Sequence, residues 1–168
     1  MERTVLVTGA SGGIGRAICE HVAGDWNVAV HYYSDSSGGA DVVESVRSED
    51  SDARSYRADL ADTEAAVGLV ESVVDDFGRI DGIVNNAGVF YDAPPDAYDD
   101  DMYDRTFGVN VDGAIYATRA ALSAMDANEP VDGVRGRVVS IASTAGVHGG
   151  PKDAIYAASK GALVAFTK

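Results

Sequence analysis

Residues 5–15 read Val-Leu-Val-Thr-Gly-Ala-Ser-Gly-Gly-Ile-Gly. The first three are apolar and mostly β-branched, which is typical of a buried strand. The glycine turn that follows (residues 8–15) lets the backbone approach a ligand closely, and a helix is predicted after it. Strand, glycine turn and helix in this order can bind a diphosphate, because the helix start offers free N–H groups and a positive dipole end. The alternative is a glycine turn without a ligand.

The rest of the chain repeats this alternation of strand and helix. Further strands are predicted at 27–32, 54–58, 80–85 and 136–142. Helices are predicted at about 40–48, at 62–78 between Asp62 and Gly78, at 98–127, and from 153–155 to residue 168. Alternating strands and helices predict a parallel sheet covered on both faces, a doubly wound, Rossmann-type α/β fold. We expect residues 1–168 to form a single domain of this kind.

Two polar residues of the last predicted helix suggest chemistry. Tyr156 and Lys160 lie four residues apart in Tyr-Ala-Ala-Ser-Lys, so they share a helix face and place a phenol beside an ammonium. A nearby positive charge favours the deprotonated phenol, which can then exchange a proton with a substrate hydroxyl or carbonyl. The pair therefore predicts an enzyme. The alternative is a surface lysine beside a partly buried tyrosine.

Four motifs follow one another along the chain: the glycine turn, Asn-Asn-Ala-Gly at 85–88, a segment around Ser143, and Tyr-x-x-x-Lys at 156–160. In this combination the whole chain resembles the short-chain dehydrogenase/reductase family. The resemblance implies an NAD(P)-dependent oxidoreductase that interconverts a ketone and a secondary alcohol. Among its members the chain is most similar to reductases of 3-oxoacyl thioesters, and a sugar or polyol dehydrogenase is the alternative.

The resemblance also implies roles for individual residues. Tyr156 would be the general acid or base, Lys160 would assist it and hold the nicotinamide ribose, and Ser143 would hydrogen-bond the substrate oxygen. Asn110 would position a water in a proton relay to Lys160, and Asp59 would meet the adenine. The alternative for Asn110 is a polar helix residue without a function, and the alternative for Asp59 is a solvated loop carboxylate. The implied cofactor-binding residues are Gly9, Ser11, Gly13, Ile14, Gly15, Tyr32, Tyr33, Ser34, Asp59, Leu60, Asn86, Ala87 and Gly88, with Tyr156 and Lys160.

The end of the second predicted strand bears on the choice of cofactor. NAD-binding folds usually place a carboxylate there for the ribose 2′-OH, whereas this chain has Tyr32 and Tyr33. No carboxylate would repel a 2′-phosphate at that position, although Asp35 follows closely and an expected arginine near Tyr33 is absent. Side chains that could hydrogen-bond a phosphate are His31, Ser34 and Ser36. We expect NADP, with NAD as the alternative.

Composition narrows the possible partners. A formal charge of −14 and a pI near 4.3 argue against nucleic acid and anionic membranes, which would repel such a chain. The excess of aspartate over lysine suggests a cytoplasm of high salt, where ions screen self-repulsion.

No run approaches ~20 apolar residues and no signal segment is evident, which favours a cytoplasmic location. The three histidines lack ligand spacing, so no metal is expected, and a lone Cys19 excludes a disulfide framework.

The last expectations concern length and assembly. Family members run on beyond the helix that carries Tyr156, so we expect this chain to be a fragment of a longer reading frame, with a sheet that lacks its last strands. The resemblance implies a homodimer or tetramer formed through the helices at 98–127 and from 155 onward, and a small carbonyl compound or alcohol as substrate. A non-catalytic dinucleotide-binding or assembly module is the alternative from another functional class.

Overall fold

The computed structural model describes residues 2–131 and 133–168, which form one parallel sheet with helices on both faces. The strands are β1 (Arg3–Val7), β2 (Trp26–Tyr32), β3 (Ala53–Arg57), β4 (Gly82–Asn85) and β5 (Arg137–Ser140). The helices are α1 (Gly13–Val22), α2 (Ser36–Arg47), α3 (Thr63–Phe77), α4 (Asp100–Phe107), α5 (Ala114–Met125), α6 (Ala145–His148) and α7 (Ala154–Phe166). The strand order is β3-β2-β1-β4-β5 with every neighbouring pair parallel. The predicted doubly wound fold is confirmed.

Two apolar layers hold the sheet between its helices. Because successive strand residues point to opposite faces, Leu6 packs with α3 and α5, whereas Val5 and Val7 pack with α1 and α2. Strands buried on both faces are expected for a parallel sheet. The central strand β1 is accordingly almost fully buried, and it fixes the position of the glycine turn that follows it.

Helix α2 begins earlier than predicted. The sequence predicts this helix at about 40–48. In the structure α2 starts at Ser36, because the Asp35 carboxylate accepts the Gly38 N–H and caps the first turn. Helix α7 also ends at Phe166 rather than running to Lys168, and α6 was not predicted.

The long helical stretch predicted for 98–127 is interrupted in its middle. Helix α4 and helix α5 are joined by one π-helical segment, Gly108–Gly113. Such segments are rare and are frequently found at functional sites. Here the wider turn contains Asn110, whose side chain is completely buried.

The sheet topology determines where a ligand can bind. The chain reverses its strand order between β1 and β4, and a doubly wound sheet opens a crevice at the carboxyl ends of the strands at that point. The glycine turn follows β1 and the Asn-Asn-Ala-Gly motif follows β4. Two motifs separated by some 70 residues therefore meet at one edge of the sheet.

Candidate functional site

The glycine turn approaches the end of β4 too closely for side chains. Gly9 has φ +63°, and a Cβ there would lie 2.8 Å from the Ala87 Cα atom. A Cβ on Gly15 would lie 2.5 Å from the Gly9 carbonyl oxygen and 2.6 Å from the Asn86 amide nitrogen. Glycine is therefore required at both positions, which leaves the backbone open to a ligand.

Side chains from both motifs fix the turn. The Thr8 hydroxyl accepts the N–H groups of Asn86 and Ala87, each at 3.0 Å, and donates to the Val84 carbonyl at 3.2 Å. The Asn86 side-chain amide donates to the carbonyls of Thr8 and Gly9, both at 2.9 Å. These bonds join the ends of β1 and β4 and fix the conformation of the turn without a ligand.

His31 also holds the glycine turn, through a hydrogen bond with Gly9. Its Nδ1 accepts the Gly9 N–H at 3.0 Å, and its Nε2 lies 3.2 Å from the Ala58 carbonyl oxygen. Both ring nitrogens are occupied and the residue is buried, so the expectation that His31 could hydrogen-bond a phosphate is wrong. Burial lowers the pKa of His31 and outweighs the opposing effects of the Ala58 carbonyl and of Asp59.

A cleft of about 270 Å³ opens above this turn. Predicted cofactor-binding residues that line it are Gly9, Ser11, Tyr33, Ser34, Leu60, Asn86, Ala87 and Gly88. Among the other predicted residues, Tyr32 places its ring against Gly39 of α2, and Ile14 is largely exposed on α1. The cleft is also lined by Asp35, which the sequence analysis noted, by His31 in another role than expected, and by three residues not predicted from the sequence, namely Val89, Arg105 and Val109.

Asp59 is engaged by a basic residue from α4. One Nη of Arg105 donates to both carboxylate oxygens, at 2.6 and 2.8 Å, and the guanidinium stacks on the Tyr33 ring at 4.7 Å. Burial would raise the pKa of Asp59, but hydrogen bonds from the Ala61 N–H and from Arg105 outweigh it, so the carboxylate stays ionised. An arginine does lie beside Tyr33, but it is Arg105 of α4 and not a residue close to Tyr33 in the sequence.

A second group of polar residues lies where β4 and α7 approach the π-helical segment. The Asn110 side chain accepts the Val89 N–H at 2.8 Å and donates to the Val89 carbonyl and to the Ser159 hydroxyl, both at 3.0 Å. A Cβ on Gly88 would lie 3.4 Å from both the Asn110 Oδ1 and the Lys160 Nζ. Asn110 and Lys160 therefore flank the same glycine.

Lys160 is an unusual lysine because it is only 3% exposed. Its ammonium donates to the Ile141 carbonyl at 2.8 Å and lies 5.8 Å from the centre of the Tyr156 ring. Burial lowers the pKa of Lys160. The predicted helix-face pairing of phenol and ammonium is present, and the alternative of a surface lysine is wrong.

Tyr156 and Ser143 complete this region. Phe90 contacts the Tyr156 ring edge-on, with centroids 5.2 Å apart, while its own ring stays half exposed. Ser143 lies between β5 and α6, where its hydroxyl accepts the Ala145 N–H at 3.1 Å. Helix α6 packs closely on α7, since a Cβ on Gly146 would lie 2.7 Å from the Gly161 nitrogen. The segment of Ser143 is thereby held against the helix that carries Tyr156.

No three His, Cys, Asp or Glu side chains in the described residues are placed to hold a metal ion. Within the same residues, no helix is both long enough and apolar enough to span a bilayer.

Comparison with known proteins places these features in a family. A model of the short chain dehydrogenase family matches residues 3–168. This chain therefore belongs to the short-chain dehydrogenase family.

Three similar proteins illustrate the range of the family. A 3-oxoacyl-acyl-carrier-protein reductase of Staphylococcus aureus is 31% identical and aligns with the whole of this chain and 67% of its own. The structure of an NAD+-bound xylitol dehydrogenase is 38% identical with a TM-score of 0.88, covering 99% of this chain and 62% of the other. A short chain dehydrogenase of Burkholderia cenocepacia in complex with NADP is 34% identical with a TM-score of 0.89, covering 99% and 66%. Curated relatives such as these are longer, and the chain spans 60% to 67% of their length.

Proposed function

We propose that this chain binds NADP or NAD and carries the catalytic residues of an oxidoreductase that interconverts a ketone and a secondary alcohol. The observation that supports the proposal best is the buried ammonium of Lys160, which lies beside Tyr156 and next to Gly88 of the cleft. A buried lysine with one carbonyl partner is costly for stability. Its burial next to a phenol is therefore better explained by catalysis than by packing.

The roles proposed for the four polar residues follow from their positions. Tyr156 exchanges a proton with the substrate oxygen, and Ser143 hydrogen-bonds the same oxygen. Lys160 stabilises negative charge on the phenolic oxygen and binds the nicotinamide ribose. The side chain of Asn110 is bonded to Val89 and Ser159, which fixes its place in the π-helical segment. In this proposal Asn110 positions a water in a proton relay to Lys160.

The cleft fits the cofactor of the related structures. Gly9 contributes only backbone to its lining, because a Cβ there would meet Ala87, and the free N–H groups at the start of α1 follow in the same turn. When bound, the nicotinamide ring supplies the hydride, and the protein contributes position and proton. We propose NADP as the preferred form, because Tyr32, Tyr33 and Ser34 provide no carboxylate to repel a 2′-phosphate. One related structure holds NADP and another NAD+, so NAD is the alternative cofactor.

A 3-oxoacyl thioester is the substrate class we propose, on the basis of the likeness to the acyl-carrier-protein reductase. The xylitol dehydrogenase has the higher identity to this chain, and it supports a polyol or sugar as the second candidate. We propose a homodimer or tetramer through α4, α5 and α7, on the basis of family resemblance alone.

The first test is a titration of this chain with NADPH and NADH, following nicotinamide fluorescence. We expect saturable binding with tighter affinity for NADPH. Gly15→Val places a side chain where a Cβ already overlaps the Gly9 carbonyl oxygen, and should abolish binding. Gly68→Val, at a position with open space on α3, is the matched control and should bind normally.

Two results would contradict the proposal. Absence of binding of either nucleotide to the folded wild-type chain would refute cofactor binding. Binding without turnover of any 3-oxoacyl thioester, sugar or polyol would favour the alternative of a non-catalytic dinucleotide-binding module.

A further inference from the structure

His31 connects two segments that contribute residues to the cleft, the glycine turn with Gly9 and the turn after β3 with Leu60. Its ring accepts the Gly9 N–H, and its backbone carbonyl accepts the Ala10 N–H at 2.7 Å, so the glycine turn is bonded to it twice. On the other side its Nε2 lies within hydrogen-bond distance of the Ala58 carbonyl, directly before Asp59. No other residue of the described chain forms this set of contacts.

The two partners determine which nitrogen carries the hydrogen. The Ala58 carbonyl can only accept, so Nε2 must donate, and the Gly9 N–H can only donate, so Nδ1 must present its lone pair. Neutral imidazole satisfies both with one tautomer. A second proton would place an N–H on Nδ1 against the Gly9 N–H, and two donors cannot bond each other.

The charged groups near His31 partly offset one another. Asp59, in the turn after β3, favours a protonated ring, but its charge is shared with Arg105 of α4. Tyr56 is the register partner of His31 on β3, and its phenol donates to Asp76. The glycine turn has no ionisable side chain.

We propose that neutral His31 is a positioning residue for the cofactor: it holds the Gly9 amide and the glycine turn in the binding conformation, and its protonation releases them. The proposal rests on the proposed function of the cleft. Mild acid should therefore weaken dinucleotide binding, through the turn rather than through direct contact with the ligand.

The test is calorimetric titration with NADP+ from pH 8 to pH 5.5, for the wild type and for His31→Asn. An asparagine Oδ1 is attached to Cγ as Nδ1 is, so it can accept the Gly9 N–H but cannot gain a proton. Wild-type affinity should fall by up to about tenfold per pH unit below the pKa of His31, because only the competent fraction binds. His31→Asn should show only the smaller slope that comes from titration of the nucleotide itself.

Equal pH slopes in the two proteins, at pH values where the His31 ring is seen to titrate, would overturn the proposal. A measurement without cofactor separates it from the proposed function, namely the ¹H–¹⁵N spectrum of the unliganded chain. The Gly9 amide resonance should shift with the same midpoint as the His31 ring, and a Gly9 signal that ignores His31 titration would also overturn the proposal. If neither nucleotide binds at pH 8, or if the variant fails to fold, this spectrum still decides the role of His31.

Discussion

Replacement of Thr8 by valine tests how the glycine turn is held. The substitution removes the hydroxyl that accepts the N–H groups of Asn86 and Ala87. Asn86 keeps a second acceptor, the Val84 carbonyl at 3.0 Å, so the Ala87 N–H bears most of the loss. A partly buried donor left without a partner costs about 1–3 kcal/mol, and with the weakened Asn86 contact we expect roughly 2–3 kcal/mol.

Thr4→Val is the matched control on the same strand. The Thr4 side chain is completely buried, and its hydroxyl has no hydrogen-bond partner among the described residues. Valine has nearly the same shape and removes this buried polar atom, so Thr4→Val should be neutral or more stable by about 1 kcal/mol.

Urea unfolding and thermal melting of the three proteins measure the difference. Thr8→Val should lower the melting temperature by about 5–10 °C, since one kcal/mol corresponds to roughly 2–4 °C at this chain length. Thr4→Val should not lower it. Equal destabilisation by both substitutions would refute the reasoning, because it would mean that the loss of the Thr8 acceptor has no special effect.

Three further predictions concern titration, reactivity and salt. The unfolded chain takes up a proton at His31 near the ordinary pKa of 6.5, and the folded chain does so only at lower pH, so stability should fall as pH drops below about 6.5. Urea midpoints of His31→Asn should lack this loss of stability at low pH. The same pH dependence in the variant as in the wild type would contradict the prediction. Burial raises the pKa of Cys19 to about 12, so a thiol reagent should label it only on unfolding; rapid labelling of the native chain would contradict the packing of α1. With a net charge of −14, the melting temperature should rise from about 0.05 M to about 2 M KCl as repulsion is screened, and equal stability at both would end the high-salt hypothesis.

The sequence was sufficient for the features that depend on local pattern. The alternation of apolar runs and helical periods predicted the sheet, and the spacing of Tyr156 and Lys160 predicted their pairing on one helix face. Gly78 at the end of α3 adopts the left-handed conformation expected of a helix terminator. In each case the residues that determine the structure lie within one turn or one strand of one another.

Contacts between distant segments could not be predicted in the same way. Arg105 of α4 stacks on Tyr33, which lies more than 70 positions earlier in the chain, and no local pattern indicates this contact. The start of α2 was missed because Ser36 to Gly39 have low helix propensity, which the Asp35 cap overrides. His31 was assigned to the ligand rather than to the turn, since the sequence does not show which way its ring points.

The most direct test is the consumption of NADPH by this chain in the presence of a 3-oxoacyl thioester, compared with Tyr156→Phe. We expect turnover in the wild type and its loss in the variant, with NADPH affinity nearly unchanged, because the phenolic hydroxyl serves the proton and the ring keeps its contact with Phe90. Turnover that persists in Tyr156→Phe would contradict the proposed catalytic role of this residue.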